Sequence, residues 1–241
     1  MQSPTQQFPP SAGLPAVGAI PQSVRVASFL TAVYGWMCVG LAITAATAWY
    51  VAGSPAIMRA IVGNRAIFWS LMIAQLGVVF VLSARVQTMA ATTASLLFVT
   101  YAALTGVTLS FILLVYTGES ISTTFLVTAG AFGGMALYGT TTGRSLAGFG
   151  QFLFMGLIGV VLASIVGMFW HSDGLQFILS VIGVIIFAGL AAYDAQRLKA
   201  MALSAPEGPV STYAVVGALT LYLDFVNLFL FLLRFTGNRR R

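Results

Sequence analysis

The chain has very few charged residues. Only 7% of its 241 residues are Asp, Glu, Lys or Arg, and only 5 are Asp or Glu, whereas a soluble domain carries about 25% charged residues. So few charges cannot cover a surface that faces water. A lipid bilayer removes this requirement, because the outside of a membrane-spanning protein is apolar. Together with an apolar fraction of 59%, the shortage excludes an ordinary soluble domain and predicts an integral membrane protein.

Cysteine and histidine are almost absent as well. Cys38 is the only cysteine, which excludes an internal disulfide and a cysteine-based metal site. His171 is the only histidine, and without a second ligand nearby we interpret it as an interfacial residue rather than a zinc ligand. We therefore expect no metal site and no bound cofactor.

The basic residues outnumber the acidic ones and give a net charge of +6. They are scattered over the predicted loops and termini and form no long basic stripe. This pattern is typical of a membrane topology signal and of contact with lipid headgroups. We therefore expect the lipid bilayer, and no nucleic acid, as a partner.

Apolar runs occupy most of the chain, and each is close to the ~20 residues that an α-helix needs to cross the hydrocarbon core. The seven runs are about 28–51, 66–84, 93–116, 121–141, 149–170, 174 to about 196, and 215–235. The sequence thus predicts an all-α fold with seven transmembrane helices over residues 24–241. Residues 1–23 are rich in Pro, Gln, Ser and Gly, which predicts a disordered N-terminal tail.

Small residues recur at four-residue spacing within several runs. Gly130 with Gly134, and Gly159 with Ala163 and Gly167, are examples. Such rows let helix backbones approach closely in lipid, so they predict tight helix contacts.

Basic loop residues predict the orientation. With the N-terminus in the cytoplasm, the inner side holds most of the loop charge, as the positive-inside rule requires. The inner residues are then Arg25, Arg85, Arg144, Arg197 and Lys199. The outer loops hold Arg59 and Arg65, and seven crossings also place Arg234 and residues 239–241 outside, against the rule. We favour a full seventh crossing over a run that re-enters the membrane.

Two acidic residues fall inside apolar runs. Asp224 lies near the middle of the seventh run, and Asp194 lies near the end of the sixth. A charged side chain at mid-bilayer costs roughly 3 kcal/mol, so such a residue normally faces the bundle interior and has a partner. Thr220, Asp224 and Asn227 recur at helical spacing and form one polar stripe that should point inward.

The two carboxylates form the predicted gating site. If they face one cavity they can share a proton, because two close carboxylates cannot both ionise cheaply. Arg85, at the inner end of the second run, is the candidate cationic latch, and Tyr193 is a supporting polar residue. Plainer interpretations remain open: a structural hydrogen bond for Asp224, an interfacial ion pair with Arg197 for Asp194, and ordinary inner-loop charge for Arg85.

Four stretches of the chain carry a family resemblance. Residues 187–199, with Tyr193-Asp194-Ala195-Gln196-Arg197, resemble the signature of the Bax inhibitor-1 family, also called the transmembrane Bax inhibitor motif family. Residues 218–230 resemble the last-helix pattern of that family, and residues 128–141 and 101–110 also fit it. The likeness runs from about Ser23 to the C-terminus, and the short loops suggest a bacterial member similar to the YccA-type branch.

The resemblance implies a fold in which six helices surround the seventh. It implies a pH-sensitive calcium leak in the bacterial inner membrane, gated by two aspartates with a nearby arginine, which correspond to Asp194, Asp224 and Arg85. For some bacterial members it also implies binding to a membrane-bound AAA protease.

The residues themselves allow several functions. A cation leak is favoured, since carboxylate oxygens suit calcium and Glu119 and Asp173 near the outer mouth would concentrate cations. A regulatory partner of a membrane-bound AAA protease, held through the tail of residues 1–23, needs no transport. An intramembrane aspartyl protease requires a Gly-x-Gly-Asp pattern, whereas residues 221–223 before Asp224 are Leu-Tyr-Leu. We therefore expect a transporter of calcium rather than an enzyme.

Overall fold

The fold is a bundle of α-helices. The computed structural model describes residues 21–85, 88–170, 172–204 and 210–240, and these contain eight helices. They are α1 (Gln22–Ala52), α2 (Pro55–Gly63), α3 (Arg65–Arg85), α4 (Ala91–Val115), α5 (Gly118–Thr141), α6 (Ala147–Phe169), α7 (Asp173–Ser204) and α8 (Val210–Thr236). Seven of them are long and apolar enough to cross a membrane, which confirms the predicted fold class.

The ends of the chain differ slightly from the prediction. Residues 1–20 of the predicted tail lie outside the described residues, and α1 begins at Gln22. The short helix α2 was not predicted. Pro55 occupies its first turn, a position where the missing N–H of proline costs nothing. Met58 and Ile61 of α2 pack against Val51 at the end of α1.

Helix α8 lies at the centre of the bundle. It packs against α1, α4, α5 and α7, and 67% of its most apolar stretch is buried, against 6% for α3 and 17% for α6. Helix α3 packs mainly on α4, and α6 packs on α7. The expectation that the seventh transmembrane helix is central is therefore confirmed.

The outer surface is covered with large apolar side chains. On α6, for example, Phe152, Met155, Leu162 and Phe169 are exposed. A soluble monomer rarely exposes a contiguous apolar patch of this kind. The surface is instead suited to contact with lipid tails.

Polar contacts identify the two ends of the bundle. At one end Gln22 Nε2 donates to the Leu203 carbonyl (3.3 Å), and Lys199 Nζ donates to the Thr140 carbonyl (2.6 Å). At the other end the Arg240 N–H donates to the Val115 carbonyl at 2.8 Å. The start of α1 and the end of α8 therefore lie at opposite ends, as a full seventh crossing requires. Which end is cytoplasmic stays a prediction.

Glycines bring helices together at positions other than the predicted rows. A Cβ on Gly139 of α5 would collide with the Ala192 backbone of α7, and one on Gly106 of α4 would lie 2.6 Å from the Thr44 carbonyl of α1. Among the described residues, nothing lies within 4 Å of such a Cβ at Gly130, Gly134 or Gly159. Gly130, Gly134 and Gly159 therefore make no tight helix contact, whereas a Cβ on Gly167 would lie 3.6 Å from the Leu175 side chain of α7, an ordinary packing distance.

The contact at Gly139 gives a first prediction. Gly139→Ala should force α5 and α7 apart and destabilise the protein by about 1–3 kcal/mol, the usual cost of overpacking a core. Gly134→Ala, on the same helix, should not destabilise the protein, because its methyl group meets nothing and alanine favours a helix interior over glycine by up to about 1 kcal/mol. Thermal unfolding of both variants in detergent checks this. Equal midpoints for the two variants would contradict the packing argument.

Candidate functional site

Asp194 lies deep in the bundle rather than at its edge. The sequence indicated a sixth helix ending near Gln196, but α7 continues to Ser204, roughly 15 Å beyond Asp194 at ~1.5 Å per residue. Helix α8 begins at Val210, roughly 21 Å before Asp224. Because the two helices run in opposite directions, their carboxyl groups reach similar depths. The helix that carries Asp194 therefore extends further than the sequence indicated, and the depth of Asp194 in the membrane stays a prediction.

The two carboxyl groups meet between α7 and α8. The side chains of Asp194 and Asp224 lie close enough to interact with each other electrostatically. Asp194 is 7% exposed and Asp224 is 5% exposed. Among the described residues, Asp224 Oδ2 has no hydrogen-bond partner. An unsatisfied buried polar atom is rare in a folded protein and requires an explanation.

Apolar side chains surround this carboxyl pair. Ala191, Ala195, Leu221 and Leu228 on the two helices are all fully buried and belong to the main hydrophobic core. Charges interact strongly in such a medium because little water screens them. Two ionised carboxylates would repel each other there, whereas a single shared proton would link them.

The basic residue near the pair is Arg197. Its Nη1 lies 4.0 Å from Asp194 Oδ1, with the Arg197 side chain 62% exposed, so this long contact is weakened by solvent. Arg85 lies at the end of α3 with an exposed side chain, and no ion pair joins it to either aspartate in the described ranges. Its role as a latch stays a prediction.

Two of the predicted supporting residues, Thr220 and Asn227, donate hydrogen bonds to carbonyl groups of their own helix. Thr220 Oγ1 donates to the Val216 carbonyl (3.2 Å), and Asn227 Nδ2 donates to the Leu223 carbonyl (2.8 Å). The ring of Tyr193 lies against α6, where it fills the space left by Gly150. These side chains pack the helices around the pair.

Sequence reasoning missed one anchor of α8. The Tyr222 side chain is fully buried, and its hydroxyl is 2.6 Å from Thr44 Oγ1 of α1, which donates to the Ala102 carbonyl of α4 (2.9 Å). The Tyr222 ring makes edge contacts with Phe98 and Tyr101. The available signal was a tyrosine inside an apolar helix, since a buried phenol hydroxyl usually finds a hydrogen-bond partner.

A cavity lies on the other side of α8. It has a volume of about 300 Å³ and lies between α1, α4, α5 and α8, with Thr44, Phe125, Phe225 and Val226 among its lining residues. Phe225 and Val226 directly follow Asp224. The lining is almost entirely apolar, so the cavity offers little to a hydrated ion.

The predicted outer mouth residues lie at one end of the bundle. Glu119 is in the first turn of α5 and Asp173 is in the first turn of α7, and both are exposed. Acidic side chains at helix N-termini are stabilised by the helix dipole. This is a sufficient structural reason for an acidic residue at each of the two positions. His171 lies outside the described residues.

The pair is too small for a resident calcium ion. Calcium takes about 6–8 oxygen ligands, and two carboxyl groups supply four oxygens at most. Within the described ranges no group of three or more His, Cys, Asp and Glu side chains occurs.

Comparison with known proteins identifies the family. Residues 26–241 match the model of the family described as "Inhibitor of apoptosis-promoting Bax1". The chain belongs to the Bax inhibitor-1 family. The inner membrane protein YbhL of Escherichia coli (strain K12) is 53% identical over 216 residues, which cover 88% of this chain and 92% of YbhL.

Two further relatives match a similar share of the chain. An uncharacterized protein of Borreliella burgdorferi is 45% identical, with coverage of 88% of this chain and 92% of its own. An uncharacterized protein of Caulobacter vibrioides is 40% identical, with coverage of 88% and 89%. None of these names states an activity.

The stretches that resemble the Bax inhibitor-1 family all fall on helices around the carboxyl pair. Residues 187–199 lie in α7, 218–230 in α8, 128–141 in α5 and 101–110 in α4. Helices α4, α5 and α7 all pack against α8. The four family-like stretches thus lie on the central helices that hold the pair in place. The peripheral helices α3 and α6 carry none of them.

Substitution of Asp224, whose Oδ2 has no hydrogen-bond partner among the described residues, distinguishes a functional role from a structural one. Asp224→Asn should raise the stability of the protein at neutral pH by about 1–3 kcal/mol, because the amide donates to Asp194 without the uptake of a proton that the pair of carboxyl groups needs for the same contact. Thermal unfolding in detergent at neutral pH measures the change. Ser180→Ala is the control on α7, since that buried hydroxyl already donates to the Gln176 carbonyl (2.7 Å). A lower midpoint for Asp224→Asn would instead make Asp224 a structural hydrogen-bonding residue.

Proposed function

We propose that this protein is a pH-sensitive cation leak pathway of the bacterial inner membrane, with calcium as the transported ion and Asp194 and Asp224 as the gate. The observation that carries the proposal is the buried carboxyl pair between α7 and α8, with its unpartnered Asp224 oxygen. An inner membrane location agrees with the name of the relative YbhL and with seven apolar helices.

Proton sharing supplies the gate. With one shared proton the pair joins α7 to α8 through a hydrogen bond, and loss of that proton leaves two adjacent negative charges. Repulsion between them in an apolar core acts directly on the contact between α7 and α8. Protonation of a buried group next to a movable helix contact is a known way of coupling pH to conformation.

Cation passage uses the same oxygens. Carboxylate oxygens can replace part of the hydration shell of a cation, and calcium prefers oxygen ligands. A proton and a calcium ion therefore compete for the pair. It follows that the calcium concentration at half-maximal flux should rise as the pH falls. Because the neighbouring cavity is apolar, the route for the ion is expected to open by a shift of α7 relative to α8.

Calcium flux into proteoliposomes tests the gate. Wild-type protein should show a flux that depends on pH between about 5.5 and 8. Asp194→Asn and Asp224→Asn should each abolish most of this pH dependence, because one carboxyl group cannot share a proton. The double variant should resemble either single variant, since residues that act as a unit are not additive.

The matched control for this experiment is Ser180→Ala, a buried polar substitution on α7 that leaves both carboxyl groups in place. It should retain the wild-type pH profile. If Asp224→Asn keeps both the flux and its pH profile, the gating role of the pair is wrong. An Asp194→Asn variant with wild-type behaviour would leave Asp224 acting alone and would equally refute a shared proton.

The outer mouth gives a separate prediction. Replacing Glu119 by Gln together with Asp173 by Asn should lower the initial calcium flux by about twofold to tenfold at low salt, because exposed carboxylates concentrate cations near an entrance. The difference should vanish near 1 M salt, where the Debye length is about 3 Å. Glu119→Asp with Asp173→Glu keeps both charges and should behave like the wild type. A salt-independent loss would contradict the steering argument.

The two alternatives stay predictions. An intramembrane aspartyl protease would cleave a transmembrane peptide, and Asp194→Ala would abolish that cleavage. A regulatory partner of a membrane-bound AAA protease would co-purify with it through residues 1–23, most of which lie outside the described residues. Binding that survives deletion of residues 1–20 would remove the tail from that hypothesis.

A further inference from the structure

A deep apolar recess opens at the end of the bundle where α8 ends. The cavity of about 300 Å³ beside α8 shares Trp49 and Leu113 with a second recess of about 500 Å³. The second recess continues outward along the end of α1 and is lined there by Tyr50, Ser54 and Arg240. The two recesses are therefore adjacent, and the inner one is almost entirely apolar whereas the outer one is more polar.

The depth of this recess matches one leaflet of a bilayer. Along α1 the lining residues extend from Leu41, at the inner end, to Ser54, at the mouth. This stretch of helix is roughly 20 Å long at ~1.5 Å per residue. Half of a hydrocarbon core is about 15 Å thick. Trp49 and Tyr50 are 77% and 65% exposed, and such aromatic residues mark the level of the lipid headgroups. An acyl chain that enters at this level would reach the part of the cavity that Phe225 lines.

Arg240 lines the mouth of the outer recess. Arg240 Nε donates to the Tyr116 carbonyl (3.1 Å), and the Arg240 backbone N–H donates to the Val115 carbonyl (2.8 Å). These two contacts hold the residue at the end of α4. Neither recess has an acidic residue in its lining, and the guanidinium Nη groups make no hydrogen bond to the described part of the chain. Arginine at this level attracts anionic headgroups and binds phosphate well.

We propose that this recess binds one anionic phospholipid, with an acyl chain in the cavity beside α8 and the phosphate at Arg240. The lining supplies apolar walls for the chain and one fixed cation for the headgroup, which is the usual composition of a ligand pocket. The site does not include the carboxyl pair, since neither Asp194 nor Asp224 lines either recess. Binding of the lipid therefore does not require that the protein conducts calcium.

Native mass spectrometry of the full-length protein in a mild non-ionic detergent tests the site. The probe is an equimolar mixture of phosphatidylglycerol and phosphatidylcholine with identical acyl chains. Wild-type protein should retain one phosphatidylglycerol with about a fivefold preference over phosphatidylcholine, the effect of one basic residue at the headgroup. Absence of a retained lipid, or equal retention of the two lipids, would overturn the proposal.

Two pairs of variants locate the lipid. Ala45 lines the cavity, whereas the adjacent Ala46 is exposed outside its lining. Ala45→Phe should reduce retention of both lipids at least fivefold, and Ala46→Phe should not. Arg240→Gln should keep lipid binding but lose the preference for phosphatidylglycerol, and Arg240→Lys should restore it. Arg239→Gln, which makes the same charge change one residue earlier, should leave the preference in place.

The outcomes separate this site from lipid bound loosely around the bundle. Equal losses for Ala45→Phe and Ala46→Phe would show that lipid is retained on the outer surface and would refute the cavity. An unchanged preference in Arg240→Gln would refute the headgroup contact. The thermal unfolding midpoint of each variant shows that it is folded, and the arginine variants test the site even if Ala45→Phe is unstable.

Discussion

The contact between the carboxyl groups of Asp194 and Asp224 depends on two anchors, each two residues earlier in the chain. Ala192 is held against α5, because Gly139 lets the two backbones approach within a distance that no side chain would permit. Tyr222 is held to α1 by its hydrogen bond with Thr44. These anchors fix the backbone next to each aspartate. The carboxyl groups are thus brought together by packing on the far sides of α7 and α8.

The two anchors determine how α7 and α8 can respond when the carboxyl pair changes its charge. A side chain on a loose helix would relieve repulsion by a local movement, but packed interiors deform little and switch between discrete arrangements. Here both helices are held close to the pair, so repulsion between two ionised carboxylates acts on α7 and α8 as whole bodies. The peripheral helices α3 and α6 bury little of their surface and offer less resistance to such a movement than α1, α4 and α5.

The sequence predicted the seven spans and a buried Asp224, because long apolar runs and a polar stripe at helical spacing are direct consequences of the bilayer, whereas the central last helix was implied only by the family resemblance. The prediction ended the helix that carries Asp194 too early for a physical reason. Hydropathy averages over the whole circumference of a helix, and Arg197 and Lys199 end the apolar run. Yet Leu198 and Ala202 are buried on the inner face of α7, so the helix continues with one exposed polar side.

The spacing of small residues led to a similar error. Spacing alone does not distinguish a glycine that faces open space, such as Gly134, from one at a helix contact, such as Gly139.

Helix α8 separates two environments of opposite character. Asp224 faces α7 and another carboxyl group, whereas Phe225 and Val226, the next two residues, line the apolar cavity toward α1, α4 and α5. A helix turns by about 100° per residue, so adjacent residues reach both sides without any distortion. Any movement of α8 away from α7 must therefore enter the space of that cavity. The volume beside α8 is the room into which the central helix can move, and a molecule that fills it would oppose separation of the carboxyl pair.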